Sequence, residues 1–566
     1  MTTIPDSQSP VSTTGRTQPS RRAFLGGAAA STVGVLGTVY AGRAAAADPA
    51  SGAVFRHGVA SGDPLPDRVI LWTRITPTDD ATPGSGRGGS ASVAWDVATD
   101  PGFASVVSSG TADTGPDRDL TVKVDAGGLA PNTRYHYRFR VVSGPAAGAV
   151  SPTGQTKTAP EAAADVARVR FGVASCSNWE AGYFSAYRHL AAQPDLDAIV
   201  HLGDYIYEYG VGEYVGHDRS VREHQPPHDI VSLADYRIRH GQYKSDADLQ
   251  GAHRSVPWIC TWDDHESAND AYASGAENHS PAQGDWSVRK ANSEQAYYEW
   301  MPVRPEVDAN GRHLYRRLRF GNLLELSMLD LRTYRSEQQS MTSAATDSPS
   351  ATITGAAQMS WLTGGVVSSP TAWQIIGNPV MISPILIPPL EPKTTAALTE
   401  LLGVPQAGIP LNADAWDGYT ADRKRLYQAL RDNNIDNAVF ITGDIHMSFA
   451  SELPADAANY PGAGTVGTEF VVTSVTSNNV DDIVGVPEYT AGTVAAGALT
   501  TVNRHLRWVD TDAHGYSVLT VTPAATQMDW FFITSREDPR SGQRYAQSWR
   551  VPNGAKKIQP AAGPVR

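Results

Sequence analysis

Two apolar runs of strand length end in the same dipeptide. Residues 196–202 lead into Gly203-Asp204, and residues 438–442 lead into Gly443-Asp444. Two further runs end in chemistry-bearing residues: 258–262 in Asp263-Asp264-His265-Glu266, and 169–174 in Ser175-Cys176-Ser177. Glycine lets the backbone turn tightly after a strand and bring the next carboxylate sideways. In an open α/β sheet, the crevice beyond the carboxyl ends of the strands is where ligands bind. A chain that places a ligand-type side chain after each of four strands is therefore constrained to a fold that gathers those ends at one edge. Further strand candidates at 323–329, 373–377 and 469–475, and helix-like stretches at 184–192, 289–300 and 421–433, complete an α/β layering.

The first part of the chain has another texture. Residues 69–74 are rich in β-formers, and 92–96, 120–124 and 135–141 alternate with period two between Gly/Pro turns. This spacing predicts a small all-β sandwich of immunoglobulin type, and the Pro131-Asn132-Thr133 turn before Tyr135 and Tyr137 resembles fibronectin III modules. Residues 156–165 read as a linker. The expected organisation is a sandwich domain at 48–160, a catalytic domain at 161–540 and a polar, irregular tail at 541–566.

Before the sandwich stands Ser20-Arg21-Arg22-Ala23-Phe24-Leu25, then a weakly apolar run to Tyr40 and the small residues Ala44 to Ala47. This tripartite pattern reads as a signal peptide over 1–47, and the arginine pair points to the twin-arginine export machinery and a secreted destination. The competing reading, a permanent membrane anchor, has too few Leu, Ile and Phe for a comfortable span. Acidic residues outnumber basic ones 59 to 46 over the whole chain. Without residues 1–47 the balance is 58 to 42, a net charge of -16. No nucleic-acid-binding groove is expected from such a chain. A polyanionic partner has to be met by a local feature such as a metal ion. Two cysteines exclude a disulfide-dense scaffold and a four-cysteine zinc site; a Cys176–Cys260 disulfide stays open as an alternative in a secreted protein.

The strand-end residues suit cations. Asp204 and Tyr207, three apart, would share one face of a first helical turn. A carboxylate beside a phenol makes a hard oxygen pair for a trivalent ion, whose charge holds the phenol deprotonated well below its free pKa of about 10. The adjacent acids Asp263 and Asp264 are expensive to bury unless a cation sits between them. Asp444 and His446, two apart, can point to one side of an extended or tightly turned backbone. Asp, Asp, Asp, His, Tyr and Cys together form a dinuclear metal constellation. No Gly-x-Ser-x-Gly elbow, phosphate-binding Walker loop or His-Glu-x-x-His helix competes with it.

With these residues in place the chain resembles the PhoD-type alkaline phosphatases, a family that also includes secreted phosphodiesterases described as phospholipase D. The resemblance starts at Phe55-Arg56-His57-Gly58-Val59-Ala60-Ser61-Gly62-Asp63-Pro64. It runs through Ser175-Cys176-Ser177, Gly203-Asp204-Tyr205-Ile206-Tyr207-Glu208, Trp262-Asp263-Asp264-His265-Glu266 and Asp330-Leu331-Arg332-Thr333-Tyr334-Arg335, and ends at Gly443-Asp444-Ile445-His446. It implies a metallophosphoesterase-like layered β-sandwich flanked by helices. It also implies ferric iron (Fe3+) at Cys176, Asp204, Tyr207 and His446, with calcium (Ca2+) beside it. Asp204 would bridge the two ions, Asp264 and Asp444 would hold the calcium side, and Asn378 would be a further ligand. Compared with the wider superfamily, Asp264 replaces an Asn, Asp444 a His and Cys176 an Asp. The first two departures move the second site toward carboxylate oxygen, which favours calcium over zinc. Two cations about 3.5–4 Å apart clamp a phosphoryl group and acidify a water, and His265 is the candidate to protonate the leaving group or steady the transition state. The expected function is hydrolysis of phosphate mono- or diesters. The alternatives are a secreted phospholipase D acting on phospholipid diesters and, more distantly, a calcium-dependent extracellular binding protein.

Overall fold

The computed structural model describes residues 49–565 apart from 217–218, 310, 388–396, 400–401, 403–404 and 406–408. The expected signal peptide lies outside the described residues. Ten strands lead from the sandwich region into the catalytic region: β1 (Val59–Gly62), β2 (Arg68–Arg74), β3 (Ala91–Ala98), β4 (Val106–Thr114), β5 (Thr121–Gly127), β6 (Arg134–Val141), β7 (Gly154–Lys157), β8 (Val169–Ala174), β9 (Ala198–His201) and β10 (Trp258–Cys260). Every residue of β8, β9 and β10 is buried. Covered on both faces, these strands read as near-continuous apolar runs rather than alternating ones.

Two large sheets face each other. The first has ten strands in the order Gln559–Pro560, Gln543–Pro552, Ala525–Ile533, Gly515–Val521, β8, β9, β10, β1, β2, β5. The second has seven, in the order Arg316–Phe320, Leu324–Met328, Trp373–Asn378, Ala438–Thr442, Thr465–Val471, Ser448–Pro454, Leu506–Asp510. Their inner faces meet in one apolar layer that includes Phe171, Val173 and Val200 from the first sheet and Leu326, Ile375, Val439 and Phe470 from the second. Helices Ser185–Ala191 and Trp286–Trp300 cover the outer face of the first sheet, and Gly355–Ser368 and Thr420–Asp432 that of the second. β8, β9 and β10 are parallel, as are Leu324–Met328, Trp373–Asn378, Ala438–Thr442 and Thr465–Val471. Their carboxyl ends therefore come out along common edges, which is what gathers the site.

The N-terminal sandwich is built differently from a free-standing module. Its four-stranded sheet, in the order β4, β3, β6, β7, is complete in itself. Its second layer, β1, β2 and β5, is the end of the ten-stranded sheet: β1 pairs antiparallel with β2, and at Gly62 it pairs parallel with β10. Val69, Leu71 and Val122 pack with Val93, Tyr137 and Phe139 in one core. The sheet thus runs across the expected boundary near residue 160.

Two local expectations are corrected. The expected tail at 541–566 is not irregular, because Gln543–Pro552 pairs with Ala525–Ile533 and buries Trp549 and Val551. The polar residues that suggested a tail lie on the strand's open side. The strand expected at 469–475 is Thr465–Val471. Pairing with Ala438–Thr442 stops at Val471, and the following residues leave the sheet to buttress the site.

Candidate metal centre

Left-handed backbone recurs where the strands end. Cys176, Asp204, Asp444 and His446 all have φ between 54° and 64°. Non-glycine residues hold such angles only when their surroundings impose them, and strain of this kind clusters at functional sites. The preceding glycines are required by space. A Cβ on Gly203, whose φ is 110°, would lie 2.5 Å from Asp263 Cβ, and one on Gly443 would lie 2.8 Å from Ser175 Cβ. Asp204 and Tyr207 do not sit on a helical turn, since residues 203–210 form an irregular loop. The loop still joins them: the Tyr207 phenol donates to Asp204 Oδ2 at 3.0 Å. Glu266 ties the loops together, accepting from the backbone N–H groups of Asp204, Tyr205 and Asp263 at 3.1, 2.7 and 2.8 Å.

Three overlapping groups result. Ligand atoms of Cys176, Asp204 and His446, of Asp204, Asp264 and His265, and of Asp263, Asp264 and Asp444 each lie within 4.8 Å of one another. Asp204 and Asp264 each belong to two of the groups. His446 Nδ1 lies 2.8 Å from the Asn478 carbonyl. A carbonyl only accepts, so Nδ1 carries the proton and Nε2 is left bare, 3.3 Å from the Tyr207 oxygen. Burial holds the His446 ring neutral, down to about 4. Asp204 Oδ1 and Asp264 Oδ1 are buried with no hydrogen-bond partner among the described residues. An orphaned carboxylate oxygen in a dry interior is costly. The cost shows in the acidities: burial first, then neighbouring carboxylates, push Asp204 and Asp444 well above the usual range and Asp263 up to about 6. Burial, then the Asp204 charge, likewise push up the Cys176 thiol. Such a donor set fits cations, which take the place of the missing protons.

The structure separates the roles within the acidic pair. Arg332 grips Asp263 through Nε at 2.5 Å and Nη2 at 3.1 Å, and reaches Asp414 through Nη1 at 2.7 Å. Its Nη2 stands 3.5 Å from Asp264 and 3.4 Å from Asp444. Asp263 thus takes the guanidinium's hydrogen bonds, while Asp264 Oδ1 faces the same guanidinium at 3.5 Å without accepting one. Asn378, expected as a further ligand, ends the strand Trp373–Asn378 with its side chain bonded to neighbouring strand ends. Its amide nitrogen donates to the Val380 carbonyl and to Thr442 Oγ1, and its oxygen accepts from the Trp416 indole at 3.0 Å. These bonds occupy the Asn378 amide nitrogen and one lone pair of its oxygen. Cys176 and Cys260 are both buried and unbridged, so the disulfide alternative falls.

His265 stacks on Tyr207 with ring centroids 4.3 Å apart and meets Glu208 Oε2 through Nδ1 at 2.7 Å. Burial opposes its charge, but Asp264, Glu208 and Asp204 outweigh burial and hold the ring protonated well above its ordinary range. Glu208, Arg332 and Asp414 were not assigned roles by sequence reasoning. The only signal for the first two was their place in the Gly-Asp and Asp-Leu-Arg motifs; Asp414 lies in a stretch without any. Above the centre opens a cleft of about 590 Å³ lined by Asp204, Asp264, His265, Asp444 and His446, with Tyr209, Tyr214 and Gln338 among its walls.

Comparison with known proteins agrees with this geometry. The PhoD-like phosphatase family matches residues 171–530, and the PhoD-like phosphatase N-terminal domain matches residues 42–160. Alkaline phosphatase D of Bacillus subtilis (strain 168) is 37% identical over 486 residues, covering 84% of this chain and 77% of that protein. The solved structure of PhoD superposes with a TM-score of 0.78 at 34% identity, over 91% of this chain and 93% of that one. Purple acid phosphatase PPD1 from yellow lupin (Lupinus luteus) seeds shares the fold at 11% identity, with a TM-score of 0.50, over 88% of this chain and 73% of that one. Strand ends that converge on orphaned carboxylates, in a chain matched over both of its regions, place this protein in the PhoD-like phosphatase family.

Proposed function

We propose that the chain is a metal-dependent phosphoric ester hydrolase, an alkaline phosphatase with phosphodiesterase activity, secreted by the twin-arginine route. One observation carries the reading: Asp204 Oδ1 and Asp264 Oδ1, buried and accepting no hydrogen bond among the described residues, converge with Cys176 and the bare Nε2 of His446 beneath an open cleft. Cys176, Asp204, Tyr207 and His446 would hold Fe3+, for which thiolate, phenolate and imidazole are suitable donors. Asp204, Asp264 and Asp444 would hold Ca2+, which prefers oxygen. When bound, such a pair supplies Lewis acidity toward a phosphoryl oxygen and an acidified water.

The chain's own residues do the rest. The left-handed turns at Asp204 and Asp444 fix the carboxylates before substrate arrives, so no reorganisation is left for the reaction itself. Arg332 offsets the Asp263 charge by two hydrogen bonds, leaving Asp264 Oδ1 as the oxygen of the pair that accepts none. Glu208 orients His265 through Nδ1 and leaves its Nε2 toward the cleft, placed to give a proton to a departing alkoxide. Mono- and diester assays run beside elemental analysis test the proposal. Iron and calcium in the purified protein, with hydrolysis that a chelator abolishes, support it. Hydrolysis that survives complete metal removal refutes it.

A further inference from the structure

Tyr207 is fully buried, and three polar atoms crowd its phenolic oxygen. The Ser477 hydroxyl donates to it at 2.6 Å, it donates to Asp204 Oδ2 at 3.0 Å, and His446 Nε2 stands 3.3 Å away. Proton accounting gives the directions. A serine hydroxyl has one proton, and Ser477 can give it to Tyr207 or, at 3.0 Å, to the Cys176 carbonyl. The contact to Tyr207 is the shorter. The phenol's own proton then faces Asp204 and the bare nitrogen of His446, both of which only accept. With a cation held in place of that proton, Asp204 and His446 would be fellow ligands with nothing to donate. Among the described residues, Ser477 is then the group that still donates a hydrogen bond to the phenolate.

Ser477 is well fixed for this task. Its N–H and that of Thr476 donate to the Cys176 carbonyl at 3.4 and 3.3 Å, and its carbonyl accepts from Ser474 at 2.7 Å. The Thr476 hydroxyl donates to the Asn178 carbonyl at 2.7 Å. The loop that leaves the second sheet early is thereby tied to the turn that carries Cys176. Its hydroxyl aims at an oxygen contributed by a third segment.

We propose that Ser477 is a positioning residue of the first cation site: it holds Tyr207 as an anionic ligand by donating the one hydrogen bond the phenolate keeps. This rests on the reading of Tyr207 as a ligand given above. Hydrogen bonds to the oxygens of ligating groups tune a metal site much as the ligands themselves do. A donated hydrogen bond stabilises the phenolate. It keeps the ligand deprotonated to lower pH, and it raises the energy needed to move an electron from phenolate to ferric ion.

Full-length Ser477→Ala, loaded with Fe3+ and Ca2+ beside the parent enzyme, tests this. The readouts are the visible phenolate-to-iron absorption and the iron retained after dialysis across a pH series. The absorption should move to longer wavelength, and the midpoint of acid iron loss should rise by about one to two pH units, the size of one charge-assisted hydrogen bond. Ser477→Cys, a weaker donor of similar size, should fall between the two and covers a failure of the alanine variant to fold. An unchanged band together with an unchanged midpoint overturns the proposal, as does full iron retention by Tyr207→Phe at every pH. A parent protein that takes up no iron refutes the ferric reading instead. Ser477 is then judged on the acid midpoint of whichever cation elemental analysis finds, with the same upward shift expected and an unchanged midpoint overturning it.

Discussion

Replacing Glu208 by Gln isolates the proton that His265 is placed to deliver. The two groups meet at 2.7 Å with Glu208 fully buried. Burial alone would raise the Glu208 carboxyl, but His265 and the amide donors of Asn278 and Asn269 outweigh it and hold the carboxyl ionised down to about 2, against an ordinary 4.5. At about 1.36 kcal/mol per pH unit, that difference is worth about 3 kcal/mol of folded-state interaction. Because this pKa is depressed, its stabilisation is complete above pH 4.5 and is lost as pH falls through about 2. The partner works the other way. His265 is raised, so its protonated form is favoured until pH climbs through the folded value. Gln keeps the shape and a hydrogen bond but removes one of the three carboxylates that hold the proton on the ring. The ring's alkaline limb should therefore fall by about one to two pH units, cutting turnover on the alkaline side about 10- to 100-fold. The assay is a pH–rate profile for two diesters, one with an alkyl and one with a nitrophenyl leaving group. Only the poor alkoxide needs a proton, so only its hydrolysis should follow the shifted limb. Equal losses for both substrates, or a limb that does not move, would refute the role of His265 as proton donor.

Other perturbations separate the site's charges. Asp204→Asn should abolish bound metal and activity, yet raise the melting temperature of metal-free protein, because it removes a buried oxygen that has no partner there; calorimetry with and without chelator reads both. Arg332→Gln leaves Asp263 buried without its guanidinium, while Asp414 keeps Arg335 at 2.7 Å, and should destabilise the fold by about 3–5 kcal/mol, a loss that denaturant titration measures and that Asp263→Asn should partly restore. Metal-stripped protein should lose stability as pH rises. Asp263 and Glu266 are raised to about 6 and about 8, chiefly by burial, so their contribution is present below pH 4 and fades through those values. Melting curves at pH 5 and pH 9 should show the drop in chelator and a much smaller one with cations added.

Some of this was open to reading from the chain alone. The strands Val169–Ala174 and Ala438–Thr442 are buried throughout and, Arg170 and Thr442 apart, carry no polar side chain, and their ends fall where the residue pattern puts them. Tyr207 and Asp204 were paired on a helical turn that does not form; a left-handed Asp204 and a loop do the same work. The strand Gln543–Pro552, next to the edge of its sheet, is hard to read because its open side is polar, and one-sided burial leaves only a weak alternation. Asn378 looked available because a strand delivers it to the right edge. Its side chain bonds to Thr442, Val380 and Trp416, which no local pattern announces.

The residue order by itself determined which side chains stand at strand ends and that acids, sulfur, phenol and imidazole were all on offer there. Periodicity and the steric freedom of glycine are local properties, so they are written locally. Only the packed sheets decided that Arg332 gives its hydrogen bonds to Asp263 and none to Asp264, that His446 presents its bare nitrogen, and that a loop beginning after Val471 places Ser477 against Tyr207. Those outcomes depend on partners up to 270 positions apart, brought together because two sheets bury their inner faces against each other.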